Sequence, residues 1–189
     1  MVKRKTKSRA GKGRRPSARE IAEQADRILE DALQREREYE RLGMISTTIS
    51  RAELIHKLSG KTANSPFLTQ IGRSNAVQGT TFLLNFGVMN PDPWPYSEAN
   101  LGLCYCWSDA GGITDSGSTL LRADPSIGVR QVPIGYLNAA PMPYYLASTH
   151  DIPATFRLGP ADINWFLYQP DPWNPSVLLS RGTIRVEVT

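Results

Sequence analysis

Cysteine and histidine are nearly absent from this sequence and no long apolar run occurs, and each shortage removes a class of protein. The two cysteines, Cys104 and Cys106, stand one residue apart, so there is no disulfide framework to staple a small secreted fold. On a strand both thiols would point to one face; such close neighbours rarely bridge, and reduced, buried thiols in an intracellular chain are expected. His56 and His150 are the only histidines, and with the cysteines they make an incomplete zinc set, so no metal site is expected. No apolar stretch reaches the roughly 18 residues of a membrane-spanning helix. The basic start is not followed by an apolar segment, so export by a signal peptide is not expected. Neither G-x-x-x-x-G-K-[ST] nor G-x-G-x-x-G occurs, so no phosphate loop and no cofactor are expected.

Acidic residues are also missing from the start of the chain, and what stands there instead is cationic. Lys3, Arg4, Lys5, Lys7, Arg9, Lys12, Arg14 and Arg15 precede the first carboxylate, Glu20, with Arg19 just before it. Residues 1–16 have too little apolar surface to offset their own ordering entropy. A disordered basic arm is expected, and a polycation of this density binds nucleic-acid backbone by releasing condensed counterions, without reading sequence. A solvated tail or a localisation signal would have the same composition. The charge is segregated: residues 1–43 carry thirteen basic and eight acidic side chains, the remainder nine and ten. A folded body so close to neutral has little with which to build a basic face, so the arm has to do the holding.

Residues 17–43 read as one long helix. Ser17 and Glu20 form an S-x-x-E capping box, and Ile21, Ala25, Ile28, Ala32, Tyr39 and Leu42 recur at helical spacing before Gly43 stops the pattern. Pairs such as Glu23 with Arg27 and Asp31 with Arg35 add i,i+4 support. The stripe fits packing against the chain's own body or against a neighbouring subunit, as a spacer or assembly element.

From Met44 onward charge thins, thirteen of the fourteen prolines appear, and β-branched and aromatic residues rise. Short strands are expected at 44–50, 53–58, 80–88, 101–107, 127–132, 144–146, 154–158, 163–168, 176–179 and 183–188. A polar segment, Gly60 to Pro66, interrupts the early ones. Many short strands with Gly/Pro punctuation predict a mainly β body over 44–189, a jelly roll or related antiparallel β-sandwich. Most of the fifteen aromatics beyond Gly43 should be core, not stacking platforms for bases. Pro91-Asp92-Pro93-Trp94 and Pro170-Asp171-Pro172-Trp173 echo each other, each after a strand. The two are either stiff corners that tuck a Trp over the body's edge or exposed loops in which Trp94 and Trp173 meet a protein or glycan.

Catalytic signals are weak. Asp115-Ser116-Gly117 is similar to the aspartic-protease signature, but that chemistry needs two carboxylates and the motif occurs once. No G-x-S-x-G elbow frames a serine for His150, and His150-Asp151 reads as a loop pair. Asp92, Asp109, Asp115, Asp124 and Asp171 lack EF-hand spacing. No enzymatic activity and no small-molecule substrate are expected.

The order of parts, with the arm Lys3 to Arg15 followed by Ile49-Ser50-Arg51-Ala52-Glu53-Leu54-Ile55 leading into the first long strands, resembles the coat proteins of small icosahedral viruses. The resemblance is one of layout. It implies a single jelly roll that tiles a shell while the arm lies on the packaged genome: a homo-oligomeric capsid protein, located in virions assembled inside a host cell.

Overall fold

The computed structural model describes residues 16–60, 65–109, 123–170 and 176–189. In chain order its elements are α1 (Ala18–Arg41), β1 (Ile45–Thr48), α2 (Arg51–Leu58), β2 (Phe67–Arg73), β3 (Thr81–Met89), β4 (Tyr96–Ser97), β5 (Gly102–Asp109), β6 (Val129–Val132), β7 (Tyr136–Leu137), β8 (Tyr144–Asp151), β9 (Gly159–Gln169) and β10 (Val177–Val188). The chain is therefore mainly β with one long N-terminal helix. One sheet has the order β1-β2-β3-β8, a second β10-β9-β5-β6, and β4 pairs with β7 in a small third. Every pairing between these strands is antiparallel.

The first sheet is called A and the second B. Alternate residues of both meet in one apolar cluster: Phe82, Leu84, Phe86 and Val88 from β3, Leu103, Tyr105 and Trp107 from β5, Ile163 and Leu167 from β9, and Val186 and Val188 from β10. Trp107 is fully buried, with the rings of Phe82 and Phe156 edge-on at 5.1 and 5.5 Å. Burying a large aromatic in this way contributes a few kcal/mol, about 25 cal/mol per Å² of apolar surface.

Helix α1 begins where the capping box predicts. Ser17 Oγ accepts from the Glu20 amide at 3.2 Å and Glu20 accepts from the Ser17 amide at 2.6 Å. Gly43, at φ 70°, ends it in the left-handed conformation. The helix packs on its own chain, and so is part of the body and not a free spacer. Its Ala25 and Ile28 join Leu54 of α2, Phe67 of β2 and Met89 of β3 in a second apolar cluster. Further along, Gln70 Nε2 donates to the Ala32 carbonyl at 2.9 Å, and the Tyr39 ring lies over Gly72, where a Cβ would be only 2.6 Å away. Sheet A thus lies between the helices and the shared core.

Several expected elements differ. Residues 53–58 belong to helix α2, because Ser50 caps it, accepting from the Glu53 amide at 3.2 Å, and its apolar residues pack under α1. Strand β2 was not expected at all: helix cover on one side and core on the other bury most of it, which erases the polar alternation that marks a half-buried strand. Residues 154–158 form a turn between Pro153 and Gly159 (φ 99°) and not a strand. The strands expected at 176–179 and 183–188 are one continuous β10, with a bulge between Leu178 and Ser180. His150 sits within β8 and not in a loop.

Candidate partner-binding surfaces

Of the cations assigned to nucleic acid, Lys3, Arg4, Lys5, Lys7, Arg9, Lys12, Arg14 and Arg15 lie outside the described residues. Arg19 is described: it stands in the first turn of α1, exposed, with Nε 2.7 Å from Glu23 Oε1. An exposed i,i+4 pair of this kind is worth only a few tenths of a kcal/mol, so Glu23 leaves Arg19 available. The first turns of α1 are held to the body by Gln24 Nε2 donating to the Pro141 carbonyl at 3.2 Å and by Arg51 paired with Asp26 at 2.7 Å.

Trp94 is on the connection from β3 to β5, and the residues around it fix its position. Asn90 Nδ2 donates to the carbonyls of Trp94 and Leu137 at 3.1 and 3.0 Å, while Asn90 Oδ1 accepts from the Asp92 amide at 3.0 Å. Tyr96 donates to Asp92 Oδ2 at 2.7 Å, and the Trp94 indole N–H donates to the Tyr96 oxygen at 3.2 Å. Asp92 is fully buried, and burial raises its carboxyl above the ordinary range despite the Tyr96 hydrogen bond. Prolines 91, 93 and 95 restrict the backbone between these bonds. The result is a stiff corner from which Trp94 projects, 54 % exposed. Trp173, the other residue assigned to a partner, lies outside the described residues, as do Asp115 and Asp171.

His56 is exposed on α2, whereas His150 and Cys106 are built into the interior. His150 is buried between the sheets, and its two ring nitrogens are both engaged. The Trp107 indole can only donate, and it reaches His150 Nε2 at 2.9 Å. Nε2 is therefore the acceptor and Nδ1 carries the proton, donating to Tyr105 Oη at 2.7 Å, and the Tyr105 and Ser148 hydroxyls share a hydrogen bond at 3.1 Å. Burial, then the nearby Arg130 charge, push the imidazole down to about 4. A neutral, saturated histidine is a structural member, not a base in waiting. Cys104 and Cys106 are free thiols; burial raises Cys104 to about 11, far from a reactive thiolate. Among the described residues no three His, Cys, Asp or Glu side chains group as metal ligands, and no helix is long and apolar enough to cross a membrane.

Sequence reasoning missed a polar ladder on sheet B. Because Ala161, Ile163 and Leu167 face the core, Asp162 and Asn164 face away from it, yet both are buried. Thr183 Oγ1 donates to Asn164 Oδ1 and Asn164 Nδ2 donates to Ser108 Oγ, each at 2.8 Å. Beside them Arg185 grips Asp162 with two hydrogen bonds of 3.0 and 3.2 Å. Only the register of β5, β9 and β10 brings these residues together.

No family model matches the chain, and no curated protein matches its sequence. Among solved structures it is similar to the C-terminal domain of wzt, at 11 % identity over 67 % of this chain and 74 % of that one, with a TM-score of 0.41. It is also similar to the alkylpurine DNA glycosylase AlkC of Pseudomonas fluorescens bound to DNA containing an abasic site analogue, at 14 % identity over 69 % and 32 % of the two chains, TM-score 0.39. A third, AvmM, which catalyses macrocyclization in alchivemycin A biosynthesis, gives 12 % identity over 77 % and 88 %, TM-score 0.33. Likenesses this weak carry no argument about function.

Proposed function

We propose that this chain is a non-enzymatic structural protein that works as an assembly of copies and holds nucleic acid, without reading its sequence, through the cations of residues 1–15. The observation that carries the reading is the segregation of charge. Nine cations precede Glu20, eight of them within residues 1–15, whereas residues 44–189 have nine basic and ten acidic side chains. Many arms directed at one polyanion turn a moderate affinity into a strong multivalent one, and bodies near neutrality pack together without mutual repulsion. A capsid-type role, with the assembled shell enclosing nucleic acid as a virion, is the form of this reading that follows from the layout resemblance.

For the body, we infer an immunoglobulin-like β-sandwich in place of the jelly roll. A jelly roll sends most consecutive strands to opposite sheets, whereas β2-β3, β5-β6 and β9-β10 are each neighbours in one sheet. The order β10-β9-β5-β6 corresponds to the G-F-C-C′ sheet of a variable-type domain, and Trp107 on β5 takes the place of the buried strand-C tryptophan. A shell built of such bodies would differ in its subunit from the single-jelly-roll coats.

The test is deletion of residues 1–15. Assembled particles that form but lack nucleic acid support the reading; unchanged nucleic-acid content overturns it. With the full chain, affinity for a random oligonucleotide should fall at least about 10³-fold between 50 and 200 mM salt if most of the eight cations meet phosphates. A second reading rests on the exposed Trp94 at its stiff corner, which suits stacking on a sugar face or a protein surface. On that reading Trp94→Ala abolishes binding to a glycan or protein array while the fold is retained.

A further inference from the structure

Among the described residues β10 is the outermost strand of sheet B, paired with β9 on one side only. β10 is twelve residues long, and among the described residues its outer side meets another backbone only at the C-terminal end, where Ala76 bridges Val188 and Gln78 and Ala76 exchange hydrogen bonds with Thr189. A bulge between Leu178 and Ser180 disturbs the other end. Between them, residues 181–187 form a stretch of sheet edge that pairs with no other strand among the described residues, a template for another strand.

We propose that this edge pairs with the same edge of a second copy, antiparallel about a two-fold axis at Ile184, so that the two B sheets become one of eight strands. Opposed residues in an antiparallel pair share a face, so a perpendicular two-fold permits only registers centred on a residue. Centring on Thr183 sets Arg181 against the partner's Arg185, and centring on Arg185 sets two arginines against each other, both unfavourable. Centring on Val186 runs the pairing into Val188 and Thr189, which the 76–78 segment already occupies. Centring on Ile184 sets Arg181 against the partner's Glu187, and by symmetry Glu187 against the partner's Arg181. Both side chains are exposed, on the face of sheet B away from the core. Neither has an ion-pair partner among the described residues, whereas Arg185 is engaged by Asp162.

The core face agrees with this register. Ile184 lies at the open flank of the shared cluster, only partly buried, and would meet the partner's Ile184. Val186 would lie opposite the partner's Gly182, whose backbone the Trp165 ring covers, and so would meet that ring. Pairing thus closes the flank of the apolar core while satisfying the free backbone groups of the edge.

The inference deepens the self-association in the proposed function, but it stands apart from the arm and is tested without nucleic acid. Sedimentation equilibrium of the nuclease-treated full chain at moderate salt should give a dimer. Glu187→Arg, which sets arginine against arginine twice, should weaken it about tenfold or more. Glu187→Arg combined with Arg181→Glu should restore the wild-type constant to within about threefold. A second variant, Thr183→Pro, removes an edge amide and should give a monomer, with far-ultraviolet circular dichroism checking that the chain still folds. A monomeric wild type, or an oligomer indifferent to Glu187→Arg, overturns the edge register. The second result leaves assembly through another surface intact, and arm deletion tests nucleic-acid binding separately.

Discussion

The outward faces of the two sheets have opposite characters, although both sheets donate alternate residues to the same core. On sheet A the outer face is covered by α1: Phe67 and Met89 meet Ala25 and Ile28, Gly72 admits the Tyr39 ring, and Gln70 and Tyr145 hydrogen-bond to Ala32 and Asp31 of the helix. On sheet B the outer face carries the Asp162, Asn164, Ser108 and Thr183 ladder, stitched by hydrogen bonds and bounded by exposed Arg181, Arg185 and Glu187. The difference teaches that strand alternation identifies the inward face in both sheets, while the outward face is set by what lies above it. An amphipathic helix makes one outer face a second interior. Where polar residues must stay on a central strand, they survive burial by bonding one another.

The largest effect should come from stripping the covered face. Ile28→Ala leaves a cavity between α1 and β2 and should cost about 2–4 kcal/mol in urea unfolding; a cost below about 1 kcal/mol would mean that the helix is only loosely attached. Next in size is the layer common to both sheets. His150 has its imidazole lowered to about 4 in the folded chain, against an ordinary 6.5 when unfolded. The unfolded chain therefore binds the extra proton first as pH falls. The stability from keeping His150 neutral is fully present above pH 6.5 and is lost as pH drops towards 4, by at most about 3 kcal/mol. His150→Gln should flatten that part of the pH-stability curve; an unchanged curve would remove His150 as its cause.

Smaller effects belong to the ladder and to the fastening of the helix. Thr183→Ala deprives Asn164 Oδ1 of its donor at a buried position and should cost about 1–2 kcal/mol. Tyr145→Phe removes the hydrogen bond of 2.8 Å to Asp31, beside an Arg35 guanidinium 3.5 Å above the ring, and should cost about 1 kcal/mol. Burial and the Asp31 carboxylate both push the Tyr145 phenol well above its usual range, so this bond persists throughout the neutral and alkaline range in which the fold is measured. The smallest effect is expected on the exposed edge: Arg181→Ala should change unfolding of a dilute, monomeric sample by less than about 0.5 kcal/mol. That contrast with Ile28→Ala is the comparison between the two faces in its sharpest form.

Legibility followed the same division. The capping box at Ser17 and Glu20, the helical stripe and the stop at Gly43 depend on residues three or four apart, and α1 runs as they predict. The failures lie where a neighbour from far along the chain changes the environment. Phe67 to Arg73 shows no alternation because α1 buries its second side. Glu53 to Leu58 mimics a strand until the Ser50 cap and the packing under α1 are seen. Of the proposed site, the cations and Trp94 were readable as residue types, but the bonds from Asn90 to Leu137 and from Tyr96 to Asp92 that hold the Trp94 corner were not.

The amino-acid order alone settled the charge segregation, the start and end of α1 and the mainly β character of the body, because each rests on composition or on spacing within one turn or one strand. Tertiary structure decided which strands are neighbours, that α1 lies on its own sheet A, that His150 is locked between Tyr105 and Trp107, and that β10 is left at an edge. Those outcomes depend on pairings between residues tens of positions apart, and the free energy of such a contact belongs to the pair of surfaces that meet, which neither segment specifies by itself.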